Sequence, residues 1–248
     1  MGEFTNKIDF EVLVMVKNAN PNGDPLNGNR PRETYDGFGE ISDVCIKRKI
    51  RNRLQDMGEN IFVQSEERSD DGYKSLADRA KSNEAMQKAL KEKDREAYAK
   101  EACRTWMDVR SFGQVFAFKD NSVSVGVRGP VSIHSAFSVL PVSIDSMQIT
   151  KSVNSETSKD GKKSSDTMGM KHKIYSALYV IKGSINHQLA EKTGFSMRMP
   201  KRLKKHCVHY LLMTALRRDL TGVWRYVKCI GGDIIALWGN IHQQRYIS

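Results

Sequence analysis

Residues 18–32 read NANPNGDPLNGNRPR, and no other stretch limits the fold so sharply. Five Asn, three Pro and two Gly in fifteen residues exclude a helix or a long strand. Pro locks φ and removes a donor, whereas Gly and Asn accept left-handed backbone. Immediately before it, residues 8–17 read IDFEVLVMVK. Phe10, Val12, Val14 and Val16 share one face and Leu13 and Met15 the other, which predicts a strand buried largely on both faces and central in a sheet. Immediately after it, residues 41–57 read ISDVCIKRKIRNRLQDM. Ser42 or Asp43 can cap a helix whose core stripe is Ile46, Ile50 and Leu54. Lys47, Arg48, Lys49, Arg51 and Arg53 surround that stripe. A rigid polar loop feeding a Lys/Arg-rich helix is suited to hold something charged, although the same composition also describes a long surface loop.

At 248 residues the chain fits one large domain or two small ones. Hydrophobic residues at 39% and charged residues at 28% describe a globular chain. A net charge of +11 suggests a polyanionic partner. No apolar run approaches the length of about 18 residues that a membrane helix needs, and MGEFTNKIDF is no signal peptide. The four Cys (45, 103, 207 and 229) have no CxxC spacing, so reduced thiols and a cytoplasmic location are expected.

Residues 58–107 are dense in Glu, Lys, Asp, Arg and Ala, and predict solvated helices forming an insertion rather than a core layer. Leu76, Met86, Leu90, Tyr98 and Trp106 are its sparse packing points. Asp108–Gly113 ends this region, with Gly113 a candidate helix cap. Residues 115–127 alternate as a strand or hairpin, and 131–140 resume an extended apolar pattern after Arg128-Gly129-Pro130. Residues 141–171 are rich in Ser, Lys, Thr and Gly, and predict an irregular insertion, a mobile hairpin tipped by Met168 and Met170. Residues 173–186, KIYSALYVIKGSIN, predict a strand. It puts Tyr175, Ala177, Tyr179 and Ile181 on one face, and Ile174, Leu178 and Val180 on the other.

The basic charge is uneven. Residues 197–248 hold ten Lys/Arg and two Asp/Glu, supplying +8, whereas residues 1–196 hold thirty against twenty-seven. A shifted reading frame explains this break. Permitted codons for Thr221–Lys228, read two bases later, encode GSMEVCK. Extended over the tail, the shift can encode an acidic amphipathic helix, a turn and a strand. One nucleotide lost near codon 196 is therefore expected, and with it a palm whose final helix and strand are missing or replaced. The alternative is a genuine basic arm.

Stripped of insertions, and with the hidden frame restored, the order is βαββαβ, an α+β, ferredoxin-like or RRM-like pattern. NANPNGDPLNGNRPR, DVRSFG, VRGPVSIHSAFS and SSDTMGMKHKIYSALYVIKGSIN follow one another over about residues 5–196. In these motifs the chain closely resembles the backbone subunit of type I-C CRISPR Cascade complexes, the Cas-seven or Csd-two group of RAMP-type proteins. The resemblance implies a ferredoxin-like palm at 1–57 and 108–196, a helical finger insertion at 58–107 and a thumb insertion at 141–172. It implies copies that polymerise along a CRISPR RNA, present it to target DNA and meet other Cascade subunits, with no catalysis, cofactor or membrane role.

Lys47, Arg48, Lys49 and Arg51 are the first candidates for RNA phosphate contact, because cations bind a backbone without reading sequence. Arg30 and Arg32 follow the same logic. A solvated helix face is the plain alternative. Asn20, Asn22, Gly23 and Asn27 can offer amides and bare backbone N–H to phosphate or sugar, or simply build turns. Met168 and Met170 can wedge an unstacked base or pack on the thumb stem, with Lys171 and His172 beside them for phosphate. Asp24 alone is a weak metal site, so the rival reading of a metal-dependent RNA endonuclease is held second. His206, Cys207 and His209 match no zinc spacing. His134 and His187 are expected at strand edges. Tyr175 and Tyr179 are expected in the core, with base stacking the alternative.

Overall fold

The computed structural model describes residues 7–69, 71–118, 124–150 and 168–195, and the backbone of the strands at 224–231 and 234–237. β1 (Ile8–Ala19) buries Phe10, Val12, Val14 and Val16 on one face. Leu13 and Met15 on the other face are only partly buried, so the strand is two-faced in pattern but not in burial. A short hairpin follows, β2 (Gly23–Asp24) against β3 (Arg30–Pro31). β4 (Phe38–Ile41), a strand the sequence pattern does not reveal, leads into α1 (Asp43–Asp56). Ser42 caps α1, its Oγ accepting from Cys45 N at 3.3 Å. Ile46, Ile50 and Leu54 each retain 3% exposure or less, which fixes the face α1 lays on the sheet.

The insertion contains α2 (Leu76–Lys81), α3 (Glu84–Lys91) and α4 (Arg95–Thr105), followed by α5 (Met107–Phe112). It is more than a solvated appendage. Phe62, Met86, Tyr98, Ala102 and Trp106 form a second buried cluster. Phe62 lies 4.7 Å from Trp106 and 5.1 Å from Phe116, centroid to centroid. Phe116 and Val125 come from β5 (Gly113–Phe116) and β6 (Val125–Arg128), which pair as a separate two-stranded sheet. This hairpin, expected in the palm, therefore shares its core with the helices. Burial in the same cluster pushes the Cys103 thiol up to about 11, against a smaller opposing pull from Arg110.

β7 (Val131–Ile133), β8 (Ala136–Pro141), β9 (Ile144–Thr150) and β10 (Met168–Ile185) return the chain to the large sheet. β9 and the first part of β10 pair antiparallel in the hairpin expected within this insertion, in a regular ladder from Ile144–Ile174 to Thr150–Met168. Met168 and Met170 lie in its stem rather than at its tip. Residues 151–167 lie outside the described residues. α6 (His187–Thr193) follows, capped by Asn186, whose Oδ1 accepts from Leu189 N at 3.0 Å. His187 opens this helix and pairs with Glu191 rather than sitting at a strand edge.

The sheet runs β12-β11-β1-β10-β8-β4, where β11 is Trp224–Gly231 and β12 is Ile234–Leu237. β7 and β9 also pair with β10, and every ladder is antiparallel. β1 is thus central, with Val12 opposite Ile181 on one side and Cys229 on the other. The outer edge of β1, expected to stand open, is covered by the backbone of β11. The expected final helix and residues His206, Cys207 and His209 lie outside the described residues. Burial changes face along β10. Ile174 and Tyr179 are fully buried from opposite faces, as the right-handed twist of an eighteen-residue strand carries each past a different neighbour. Tyr175, expected in the core, is 65% exposed because it lies at the end of β1, beyond the helix-covered part of the sheet.

Candidate nucleic-acid interface

The Asn/Gly/Pro loop is held by its own side chains. Asn18 (φ 51°), Gly28 (φ 57°) and Asn29 (φ 59°) supply the left-handed turns. Asn20 Nδ2 donates to the Asn29 carbonyl at 2.6 Å and closes the hairpin. Asn22 Oδ1 accepts from both the backbone N–H and the hydroxyl of Ser42, each at 2.9 Å, and so pins the loop to the start of α1. A Cβ on Gly23 would fall 1.8 Å from Asn29 Oδ1, so a larger residue there would displace the Asn29 side chain. Asp24 caps the 3-10 turn Pro25–Asn27 by accepting from Leu26 N at 3.2 Å, and Arg32 Nη2 lies 3.4 Å from the same Oδ1. Asn20, Asn22, Gly23, Asp24 and Arg32 are therefore occupied in shaping the loop. Asn27 and the 98%-exposed Leu26 form its outward tip.

The helix cations divide. Lys47 pairs with Asp43 one turn back at 2.9 Å, and that bond holds the Asp43 carboxyl below its ordinary value. Arg48 Nη1 donates to the Val63 carbonyl at 2.7 Å, and burial lowers its pKa. Arg51 Nε donates to Asp108 at 3.0 Å and its guanidinium lies 5.2 Å from the Phe112 centroid. Asp108 is 1% exposed and also accepts from Phe62 N at 2.7 Å and Val63 N at 3.0 Å. Arg48 and Arg51 thus tie α1 to the helical insertion, and Lys49 is half-buried. Asp108, one acid among many in a charged region, is not marked out by any local pattern.

Two predicted residues from distant segments do come together. Arg30 Nη1 donates to Ser146 Oγ at 3.4 Å, and His172 Nδ1 lies 2.8 Å from the same oxygen. Arg30 belongs to the loop hairpin, whereas Ser146 and His172 face each other across the β9–β10 stem. Lys171 adjoins His172, and Lys173 pairs with Asp145 at 3.3 Å. Met168 and Met170 lie further along this stem at 66% and 54% exposure. Gln148 Nε2 contacts Met168 Sδ at 2.6 Å. Among the described residues, no group of three or more His, Cys, Asp or Glu is arranged to hold a metal.

The sequence pattern of CRISPR-associated protein Cas7 matches residues 6–215. The chain belongs to the Cas7 family. The match extends beyond Met197, where the motif resemblance ended. Haloferax volcanii Cas7 is 41% identical over 63 residues, which is 25% of this chain and 18% of that relative. The aligned part thus spans under one fifth of the curated relative. Among solved structures, a chain of "CRISPR RNA-guided surveillance complex, pre-nicking" overlays with a TM-score of 0.51 at 16% identity, covering 90% of this chain and 77% of its own. A second, from "CRISPR RNA-guided surveillance complex", gives 0.47 at 15% identity, covering 90% and 68%. At these identities the first overlay speaks for the fold: helices with an antiparallel sheet.

Proposed function

We propose that this Cas7-family chain is a non-catalytic scaffold that binds CRISPR RNA and assembles copy by copy along it. In this reading it belongs to a type I-C interference complex and displays the guide for pairing with target DNA. The observation that carries the reading is the meeting of Arg30 and His172 over Ser146. A cation from the loop and a ring from the hairpin stem make a polar junction without base-reading pockets, and such a junction grips a strand by its phosphates. Exposed Met168 and Met170 further along the stem are suited to wedge a base of any identity. The strand order β11-β1-β10-β8 supports a ferredoxin-like palm, and the motif order supports the type I-C assignment. The frame change near codon 196 remains part of the proposal, with DNA resequencing across that codon as its test.

Purification with CRISPR RNA and partner subunits tests the function. Defined oligomers on intact RNA are expected, and Arg30→Ala combined with His172→Ala lowers RNA affinity about tenfold, as two lost phosphate contacts would. An RNA-free monomer overturns the scaffold reading. RNA cleavage that needs Mg²⁺ and is lost in Asp24→Asn overturns the non-catalytic part.

A further inference from the structure

A cleft of about 830 Å³ opens between α1, the β5–β6 hairpin and the junction of β10 with α6. Its size falls within the range of about 300–1,000 Å³ typical of ligand sites. Phe112, Val127, Val131 and Leu189 give it an apolar surface beside the polar Gln114, Ser132 and Ser184, and no Asp or Glu lines it. Lys47 and Arg128 stand at its rim. Lys47 already has Asp43, but exposed Arg128 has no hydrogen bond or ion pair among the described residues. Asn186 spends its Oδ1 on the α6 cap, which leaves its Nδ2 amide without a partner among the described residues.

The walls are partly bare backbone. A Cβ on Gly113 would lie 2.3 Å from the Val127 carbonyl, and one on Gly129 would lie 2.4 Å from the Ser111 carbonyl. The end of α5 and the β6–β7 joint therefore meet at glycine contact and set the rim. A Cβ on Gly126, by contrast, meets nothing within 4 Å.

We propose that this cleft is a second RNA subsite, holding one nucleotide unit with its base on the apolar surface and its phosphate on Arg128 and the Asn186 amide. An apolar floor beside unpartnered donors, with no carboxylate to repel an anion, fits a nucleotide better than a peptide. The floor has no base-reading pattern, so the subsite takes any base. This inference rests on the RNA-binding reading above and extends it to the cleft beside α1 that residues of the DVRSFG and VRGPVSIHSAFS motifs line.

Binding of the full chain to a labelled, mixed-sequence single-stranded RNA, followed by fluorescence anisotropy across KCl concentrations, tests it. Arg128→Ala is expected to weaken binding about three- to tenfold and to flatten the salt slope by about 0.7, the value for one single-strand phosphate. Gly126→Trp, placed where the added side chain meets open space, is expected to weaken binding by blocking the cleft. Matching thermal melts exclude unfolding. If the unmodified chain binds and both variants equal it, the subsite is overturned while the RNA reading stands. If the unmodified chain does not bind, both fall. Loss in Arg128→Ala with none in Gly126→Trp overturns occupancy of the cleft by a nucleotide. Unchanged RNA affinity with lost self-association in Gly126→Trp assigns the cleft to a protein segment and also overturns the proposal.

Discussion

At the scale of single residues, the helix chosen from sequence as an RNA-facing surface does much of its work inward. Asp108 accepts three hydrogen bonds at 1% exposure, two from the Phe62–Val63 backbone and one from Arg51. Removing one partner of a buried ion pair leaves the other charge uncompensated and costs about 3–5 kcal/mol. Asp108→Ala is therefore expected to lose about that much stability in urea unfolding, and Arg51→Met to lose less, because the carboxylate keeps its two backbone donors. Equal losses would mean that the ion pair, and not the backbone cradle, sets the stability of this joint. The cation run of α1 was legible from composition, but its direction was not. Orientation depends on an acid more than fifty positions away, and no local pattern encodes that distance. Arg30 and His172 were legible as polar contact candidates in a loop and in an insertion. Their junction was not, because Ser146 is one serine in a serine-rich stretch.

At the scale of elements, long periodic segments read correctly and short ones did not. β1 and α1 each repeat their apolar stripe three times or more, which suffices to fix type and face. β4 has four residues, too short for alternation to register, whereas the three-residue β7 lay inside the extended pattern expected over 131–140. The second core, that of the helical insertion, was hidden for a different reason. Phe62, Tyr98, Trp106 and Phe116 are spread over more than fifty residues and gather only in three dimensions. The finger also has its own electrostatic clasp. Arg79 is 5% exposed and binds Asp71 through Nε at 2.5 Å and Nη2 at 2.8 Å, and it donates to the Phe62 carbonyl at 2.8 Å. That clasp holds the Asp71 carboxyl below its ordinary value of 3.8, by hydrogen bonding first and against a smaller desolvation penalty. A carboxylate lowered on folding contributes stability that is present above its unfolded pKa and is lost as pH falls through the lower, folded one. The finger is accordingly expected to lose stability below about pH 4. Asp71→Asn should be less stable at neutral pH and show a flatter acid limb in fluorescence-monitored unfolding. Parallel acid limbs in the two proteins would remove Asp71 from the account.

At the scale of the whole molecule, the decisive feature is the central strand β1, which needs a neighbour on each side. β10 serves one side through an unbroken register from Ile8–Ile185 to Val16–Ala177. On the other side β11 pairs from Phe10–Gly231 to Val16–Trp224, but its register shifts between Leu13 and Val14. An unpaired edge of this length would offer a row of free N–H and C=O groups to other chains. The basic tail thus has a structural use whatever the history of its reading frame, and the two ideas separate in one comparison. Three proteins are needed: the chain as written, a chain stopped at residue 195, and a chain carrying the alternative frame beyond codon 196. The stopped chain is expected to sediment as heterogeneous aggregates, because β1 then presents its bare edge. The alternative-frame chain is expected to melt higher than the chain as written, since an amphipathic helix and an uninterrupted strand bury more apolar surface than a ladder with a slipped register. Should the stopped chain stay monomeric and melt with the chain as written, β11 contributes nothing to the sheet in solution. Should the alternative frame melt lower than the written one, the tail as written is the native partner of β1, and the frame change is withdrawn.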